Sequence, residues 1–311
     1  MVNILFFTDI HLRAMRPVSR KDADYLSTII SKIDYMRDRG SGCDIAIVGG
    51  DIFHRAAAPH GVVVRAINAF SKFKIPVFTC LGQHDVLGLQ GESIPKTAMG
   101  VLLESGVVKK LDAVSIGGIN IYGIHAYDEP VWTVPDTPGP KVLVVHKFLT
   151  NTPFPGEKCY LLKDVAAATN ADLILSGDIH EPHDVIINKK VFINPGSLSR
   201  MSIADRNRLP QAALITIEDN GMIRYNFEEA PSLPAGELFD LDSYEARMES
   251  EGHSRDLTKA MAGMVLSIRN EATNAKDMLE EFMSRNGASK DIRSGVMGYY
   301  NLAEQEKLQE I

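Results

Sequence analysis

Apolar residues near the N-terminus form runs that alternate between two kinds of spacing. Residues 2–8 are almost continuously apolar up to Asp9, which predicts a buried parallel strand. The next predicted elements are a helix over 26–36, a strand at 44–48, a helix near 61–73 and a strand at 75–80. This alternation predicts a parallel sheet with helices on its outer faces, in an α/β layered core.

The pattern changes to shorter strands after residue 106. Gly117-Gly118 predicts a hairpin turn within 107–125, and 129–140 form a Pro-rich loop. Further strands are predicted at 142–145, 172–175, 184–193, 211–217 and 222–227. We therefore predict one domain over residues 1–230, a Pro-containing linker at 231–236 and a helical appendage over 237–311.

The predicted appendage contains apolar residues at alternating spacings of four and three. This heptad-like seam consists of Met261, Val265, Ile268, Ala272, Ala275, Leu279 and Phe282. Such a seam packs either on its own protein or on a second chain, and the sequence leaves both interpretations open.

Composition narrows the class of protein more than its substrate. Hydrophobic residues make up 45% of the 311 residues and charged residues 23%, as in ordinary globular proteins. We expect no signal peptide, no membrane span and, with three cysteines, a reduced cytoplasmic compartment. The net charge is −7, so nucleic-acid binding would depend on local patches or on bound metal.

Five predicted strands end in short polar clusters, and five of the nine histidines lie there. A single such cluster is more often a turn, a cap or a core histidine. The carboxyl ends of strands in an α/β sheet meet at one crevice, and imidazole and carboxylate bind Mn, Fe or Zn. Together the clusters therefore predict a hydrolytic metal centre. They are Asp9-Ile10-His11, Gly50-Asp51-Ile52-Phe53-His54, Gly82-Gln83-His84-Asp85, Val145-His146 and Gly177-Asp178-Ile179-His180.

This set of motifs resembles that of the calcineurin-like metallophosphoesterases, whose pattern is DxH, GD, GNHD, H and GHxH. Two features are similar to SbcD-type nuclease subunits: His54 after the Gly-Asp pair, and Asn194-Pro195-Gly196-Ser197 after the last motif. The resemblance covers roughly residues 1–230. It implies a metallophosphoesterase fold and two-metal hydrolysis of phosphodiesters, with DNA as the substrate.

The resemblance also implies roles for individual residues. One ion would be held by Asp9, His11, Asp51 and His180, and the other by Asp51, Gln83, His146 and Asp178. His84, oriented by His54, would stabilise the phosphoryl transition state or protonate the leaving oxygen. Manganese is the expected metal, with magnesium, iron and zinc as alternatives.

The chain departs from the family pattern at two positions. Gln83 replaces the usual asparagine, and Asp178 replaces the first histidine of GHxH. Both side chains can still coordinate, and a carboxylate favours harder ions such as Mn or Mg. We interpret this as a retuned second metal site, with a degenerate site as the alternative.

For the whole chain the resemblance implies a DNA nuclease subunit of a repair or recombination complex. Its expected partners are DNA, an SbcC-like SMC-type ATPase and a second copy of the chain, without a membrane. The alternatives are a phosphomonoesterase or cyclic-nucleotide phosphodiesterase of the same superfamily, and a non-catalytic scaffold. Ser197 and Arg200 either contact a phosphate or are simply a turn residue and a surface charge.

Overall fold

The computed structural model describes residues 1–153 and 158–244, with residues 280, 283–284, 290, 293–294 and 296–298. The chain divides into two compact units, Met1–Asp240 and Leu241–Ile311. The seam predicted between residues 261 and 282 lies outside the described residues. The first unit contains all the predicted ligands and is described below.

Strands dominate the first unit. The strands are β1 (Val2–Phe7), β2 (Ile45–Val48), β3 (Val77–Thr79), β4 (Lys109–Lys110), β5 (Ala113–Ile116), β6 (Ile119–Ile124), β7 (Lys141–His146), β8 (Leu149–Thr150), β9 (Tyr160–Leu161), β10 (Leu173–Gly177), β11 (His183–Ile187), β12 (Lys190–Asn194), β13 (Gln211–Ile217) and β14 (Ile223–Glu229). The α-helices are α1 (Tyr25–Arg39), α2 (His60–Phe70), α3 (Ala98–Glu104), α4 (Leu162–Ala168) and α5 (Ala235–Leu238).

Within the described ranges twelve of the fourteen strands form two six-stranded sheets. The first has the order β14-β13-β1-β2-β3-β4, and the second has the order β11-β12-β10-β7-β6-β5. Strands β1 to β4 pair in parallel, as do β6, β7, β10 and β12, whereas β13, β14, β11 and β5 add antiparallel edges. The site-bearing strands β1, β2, β3, β7 and β10 all belong to the parallel parts.

The alternation of side chains along β1 explains how the layers pack. Ile4 and Phe6 face the core between the sheets, whereas Leu5 and Phe7 pack in the cluster that includes residues of α1 and α2. A third cluster joins the outer face of the second sheet to α4. Both faces of the central strands are buried, which is why their sequences are almost uninterruptedly apolar.

The predicted layered α/β core is confirmed, but its sheet count is different. We predicted one parallel sheet, and the structure has two mixed sheets packed face to face. The Gly117-Gly118 turn is confirmed: both residues have positive φ and join β5 to β6. The region predicted as a strand over 184–193 is a hairpin, because Asn188 and Lys189 adopt positive φ.

The segment predicted as a linker lies against the first unit. The Arg200 guanidinium donates to Ser232 Oγ at 3.2 Å and to the Leu233 carbonyl at 2.9 Å. Leu238 and Phe239 are buried, and the Phe239 ring lies 5.4 Å from the Arg200 guanidinium carbon. The first compact unit accordingly extends to Asp240. The role of the region beyond it stays a prediction.

Candidate metal centre

The loops that follow β1 and β2 lie side by side at the floor of the candidate site. The backbone N–H groups of Asp9, His11 and Leu12 donate to the carbonyls of residues 50, 51 and 52 at 3.1, 3.0 and 2.8 Å. Asp9, His11 and Asp51 have φ near +50°. This left-handed conformation is uncommon for residues other than glycine, and it turns all three side chains into one region.

Asp85 fixes the backbone of this floor. Its buried carboxylate accepts hydrogen bonds from the N–H groups of Asp51 at 2.9 Å, Gly82 at 3.0 Å and Phe53 at 3.2 Å. Asp85 therefore joins the loops after β2 and β3. Although it lies next to the predicted ligands, its role is structural.

Three predicted ligands converge on one side of the centre. The Nε2 atoms of His11 and His180 face each other at 3.1 Å. Asp9 Oδ1 lies 3.8 Å from each of these nitrogens. The three side chains come from the loops after β1 and β10, so residues that are 169 positions apart share one small volume.

A second group lies on the other side of Asp51. His146 Nε2 is 3.5 Å from Asp51 Oδ2 and 4.0 Å from Asp178 Oδ1. His146 Nδ1 lies 2.7 Å from the Gly49 carbonyl oxygen, to which it donates its hydrogen, so Nε2 is left for a ligand. Gln83 Nε2 donates to Asp178 Oδ1 at 2.7 Å.

Several of these atoms have no protein partner. Within residues 1–153 and 158–244, Asp9 Oδ1, Asp51 Oδ2 and His146 Nε2 are buried without a hydrogen bond. Buried polar atoms are normally paired, and here a positive ion would satisfy all three. The same three residues form a compact candidate ligand group, and Asp9, His11 and His180 form another. The residues present therefore fit a pair of divalent ions.

His84 and His54 lie beside the predicted ligands at the open side. Their rings stack with centroids 5.4 Å apart, and His84 Nε2 is 3.9 Å from Asp51 Oδ2. His84 Nδ1 contacts the backbone carbonyl oxygen of His54 at 2.8 Å, so His54 contacts His84 through its main chain as well as through the stacked ring.

A family model for calcineurin-like phosphoesterases matches residues 2–182, which is more than half of the chain and includes all seven predicted ligands. The chain belongs to this family. Family membership and the ligand geometry support metal-dependent hydrolysis of phosphoesters by a dinuclear divalent centre. No curated protein matches the chain.

Solved structures similar to this phosphoesterase are distant. The protein TT1561 of Thermus thermophilus is 11% identical at a TM-score of 0.46, over 72% of this chain and 98% of that one. A novel archaeal phosphodiesterase is 12% identical at a TM-score of 0.39, over 73% and 99%. A 5′-nucleotidase precursor, also from Thermus thermophilus, is 14% identical at 0.45, over 83% and 59%. At such TM-scores these similarities do not assign a subgroup.

Burial and close charges shift the pKa values at the floor of this phosphoesterase centre. Burial raises the pKa of Asp9 to about 6 against the opposing effect of His146. Burial acts in the same direction on Asp51, but His146 and His11 outweigh it and hold the pKa of Asp51 well below its usual range. Burial would lower the pKa of His146, yet Asp51 and Asp9 hold it well above the ordinary value.

The segment after β12 supports Asp9, and sequence reasoning missed this role. Ser197 Oγ donates to the Asp9 carbonyl oxygen at 2.7 Å. The buried Arg208 guanidinium donates to the carbonyls of Ser197 and Ser199 and pairs with Asp205 at 3.3 Å. Arg200 is 2% exposed, so it is neither a surface charge nor a phosphate contact. The sequence signal for this segment was the run Asn194-Pro195-Gly196-Ser197, but the run did not reveal that the segment supports Asp9.

A cleft of about 940 Å³ opens beside the centre. Its walls include His146, Asp178 and His180, so the cleft borders three of the predicted ligands. Aromatic side chains of Tyr127 and Tyr160 line the same cleft. A small phosphoester or one nucleotide of a longer strand can therefore approach the centre. No described helix is long and apolar enough to cross a membrane.

Proposed function

We propose that the chain is a two-metal phosphodiesterase that cuts DNA as the nuclease subunit of an SbcCD-like complex. The observation that carries this proposal is the stacked pair of imidazoles, His54 and His84, beside the predicted ligands at the open side of the centre. A second histidine after the Gly-Asp pair is the feature that separates the nuclease branch from other phosphoesterases in the resemblance above.

The side chains have separate tasks in the proposed reaction. When bound, a pair of divalent ions supplies Lewis-acid chemistry: it lowers the pKa of a water and draws charge from the phosphoryl oxygens. Asp9, Asp51 and His146 fix where that positive charge sits, because they are buried and cannot rotate away. We propose manganese, since the ligand set contains more oxygen than nitrogen donors, with magnesium, iron and zinc as alternatives.

His84 is positioned to act on the substrate. Its Nδ1–H is used by the His54 carbonyl, so Nε2 is the nitrogen that faces the centre. A protonated Nε2 donates a hydrogen bond to a phosphoryl oxygen or a proton to the leaving oxygen. His84 is 38% exposed at its side chain, which leaves it accessible to a substrate that approaches the centre from solvent.

The substrate assay separates the candidate functions. We would compare single-stranded DNA, duplex DNA, a cyclic nucleotide and p-nitrophenyl phosphate, each with manganese and beside an Asp51→Ala control. Manganese-dependent cleavage of DNA, absent from the control, supports the nuclease. Turnover of only the monoester or the cyclic nucleotide supports a different phosphoesterase, and inactivity on all four supports a scaffold.

We also propose that residues 241–311 bind a second copy of the chain or an SbcC-like ATPase. Residues 241–311 contain 13 acidic and 9 basic side chains, which disfavours direct binding to DNA phosphates. Truncation after Asp240 keeps Leu238 and Phe239, which belong to the first unit. We expect a small phosphodiester to be hydrolysed normally and self-association or long-DNA activity to fall. Light scattering of the full-length and truncated proteins, together with the small-phosphodiester and long-DNA assays, tests this. Unchanged values in all three measurements would contradict an interaction role.

A further inference from the structure

We infer that the two ions bind in chemically different half-sites, and that Asp178 together with Gln83 makes the second one selective for hard cations. This inference rests on the proposed two-ion centre. The nitrogen half-site consists of Asp9, His11 and His180. The oxygen half-site consists of Gln83, His146 and Asp178, and Asp51 lies between the two.

The nitrogen half-site offers two imidazoles to one ion. His11 Nε2 and His180 Nε2 are 3.1 Å apart, and Asp9 Oδ1 lies 3.8 Å from both. A second carboxylate oxygen, Asp51 Oδ2, lies 3.9 Å from His11 Nε2. Two nitrogen and two carboxylate donors form the set that borderline ions such as zinc prefer.

The oxygen half-site offers a single imidazole. His146 Nε2 lies 3.5 Å from Asp51 Oδ2 and 4.0 Å from Asp178 Oδ1. The remaining proposed donor is the side-chain amide oxygen of Gln83. The amide nitrogen of the same side chain donates to Asp178. A histidine at position 178, as in the family pattern, would present a second nitrogen here. Asp178 instead makes the set one nitrogen and three oxygens, which favours manganese or magnesium.

The bond between Gln83 and Asp178 couples the two residues at which this chain departs from the family pattern. Gln83 Nε2 donates to Asp178 Oδ1 at 2.7 Å, and this restrains the carboxylate although its side chain is 23% exposed. Gln83 is thus a positioning residue for Asp178, in addition to the ligand role predicted for it.

Metal titrations of the full chain test the inference without any turnover. Manganese and zinc are each titrated into metal-free protein by calorimetry, and electron paramagnetic resonance follows manganese at one and two equivalents. We expect two binding steps. The ratio of zinc to manganese affinity should be larger at the first step, and magnetic coupling between manganese ions should appear only at the second.

Two variants place the selectivity at Asp178 and Gln83. Asp178→His should raise the zinc-to-manganese ratio of the second step by on the order of tenfold or more and leave the first step unchanged. Gln83→Asn removes the bond to Asp178 and should weaken the second step by roughly 10–100-fold. Asp164→His makes the same exchange at an exposed position of α4 that does not line the cleft, and it is the matched control.

Each outcome decides the matter. Equal zinc-to-manganese ratios at both steps overturn the inference, as does an unchanged ratio in Asp178→His. If that variant does not fold, a second step unaffected by Gln83→Asn overturns it instead. Binding of only one ion by the wild type removes this inference and the two-ion proposal together. Two selective steps without hydrolysis of any phosphoester contradict only the proposed function.

Discussion

On the floor of the metal centre the side chains of Asp9, Asp51 and His146 are at most 1% exposed, whereas on its open wall those of His84 and His180 are 38% and 35% exposed. Backbone hydrogen bonds fix the floor, as the contacts between the β1 and β2 loops show. On the wall, His180 lines the cleft and His84 is open to solvent beside the centre. The difference indicates that the floor holds charge in place and the wall meets the substrate.

The largest effect is expected from a substitution of Asp51, the floor residue that lies between the two half-sites. Asp51→Ala removes the one carboxylate that lies close to His11, His84 and His146. We expect no detectable hydrolysis and a lower metal content, because the charge between the two ions is lost. Elemental analysis after dialysis, together with a phosphodiester assay, measures both. Activity near that of the wild type would rule out the two-metal assignment.

A change on the wall should have the opposite signature. His84→Asn removes a solvent-accessible imidazole beside the centre but none of the predicted ligands. General acid–base or electrostatic assistance of this kind contributes about 10²–10⁴-fold in rate, and we expect kcat to fall by that amount. Metal content should stay at the wild-type level. Loss of bound metal in His84→Asn would show that His84 is a ligand.

The support beneath the floor can be weakened without touching a ligand. Arg208 and Asp205 are 6% and 5% exposed, so Arg208→Met leaves a buried carboxylate without its cation. Loss of one partner of a buried ion pair costs about 3–5 kcal/mol in unfolding free energy. Urea unfolding measures this cost. Arg224→Met breaks an exposed pair with Glu218, and this control should change stability by no more than about 1 kcal/mol.

His54 provides a finer test of the wall. Its carbonyl, rather than its imidazole, accepts the hydrogen bond from His84 Nδ1, and an alanine retains that carbonyl. We therefore expect His54→Ala to lower kcat by on the order of tenfold, clearly less than His84→Asn. Steady-state kinetics of both variants at saturating manganese compare the two effects. An equal or larger loss in His54→Ala would indicate that His54 itself contacts the substrate.

The smallest effect concerns protons on the floor. Asp51 and Asp9 hold the pKa of His146 well above its usual value against the effect of burial, so His146 is protonated near neutral pH without an ion. Metal binding must then displace that proton, and manganese affinity should rise with pH, by about tenfold per unit while His146 is protonated. Titrations in buffers of different ionisation enthalpy report proton release. His146→Gln should remove that part of the dependence.

The sequence allowed the location of the site to be predicted because strand-end clusters in a parallel sheet must converge. Convergence is a consequence of topology, so the strand-end clusters predicted a metal centre. The assignment of Asp9, Asp51 and His146 as its ligands came from the resemblance to the metallophosphoesterases. The second sheet was missed because both faces of β1 are buried, and the same apolar run suits one sheet or two. The function of Arg208 could not be predicted, since its partners are backbone carbonyls, which no sequence pattern identifies.

Three glycines at the floor have a further consequence. A Cβ at Gly50 would collide with the His146 ring, at Gly82 with the Asp51 carboxylate, and at Gly177 with Thr8 Oγ1. At these glycines the main chain lies in direct contact with the neighbouring side chains. The dimensions of the cavity therefore depend on the path of the polypeptide and hardly on side-chain rotamers. Little conformational entropy remains to be lost when a cation arrives. We therefore expect the site to keep its shape when a chelator removes the ions. Zinc fingers, in contrast, unfold when their metal is removed.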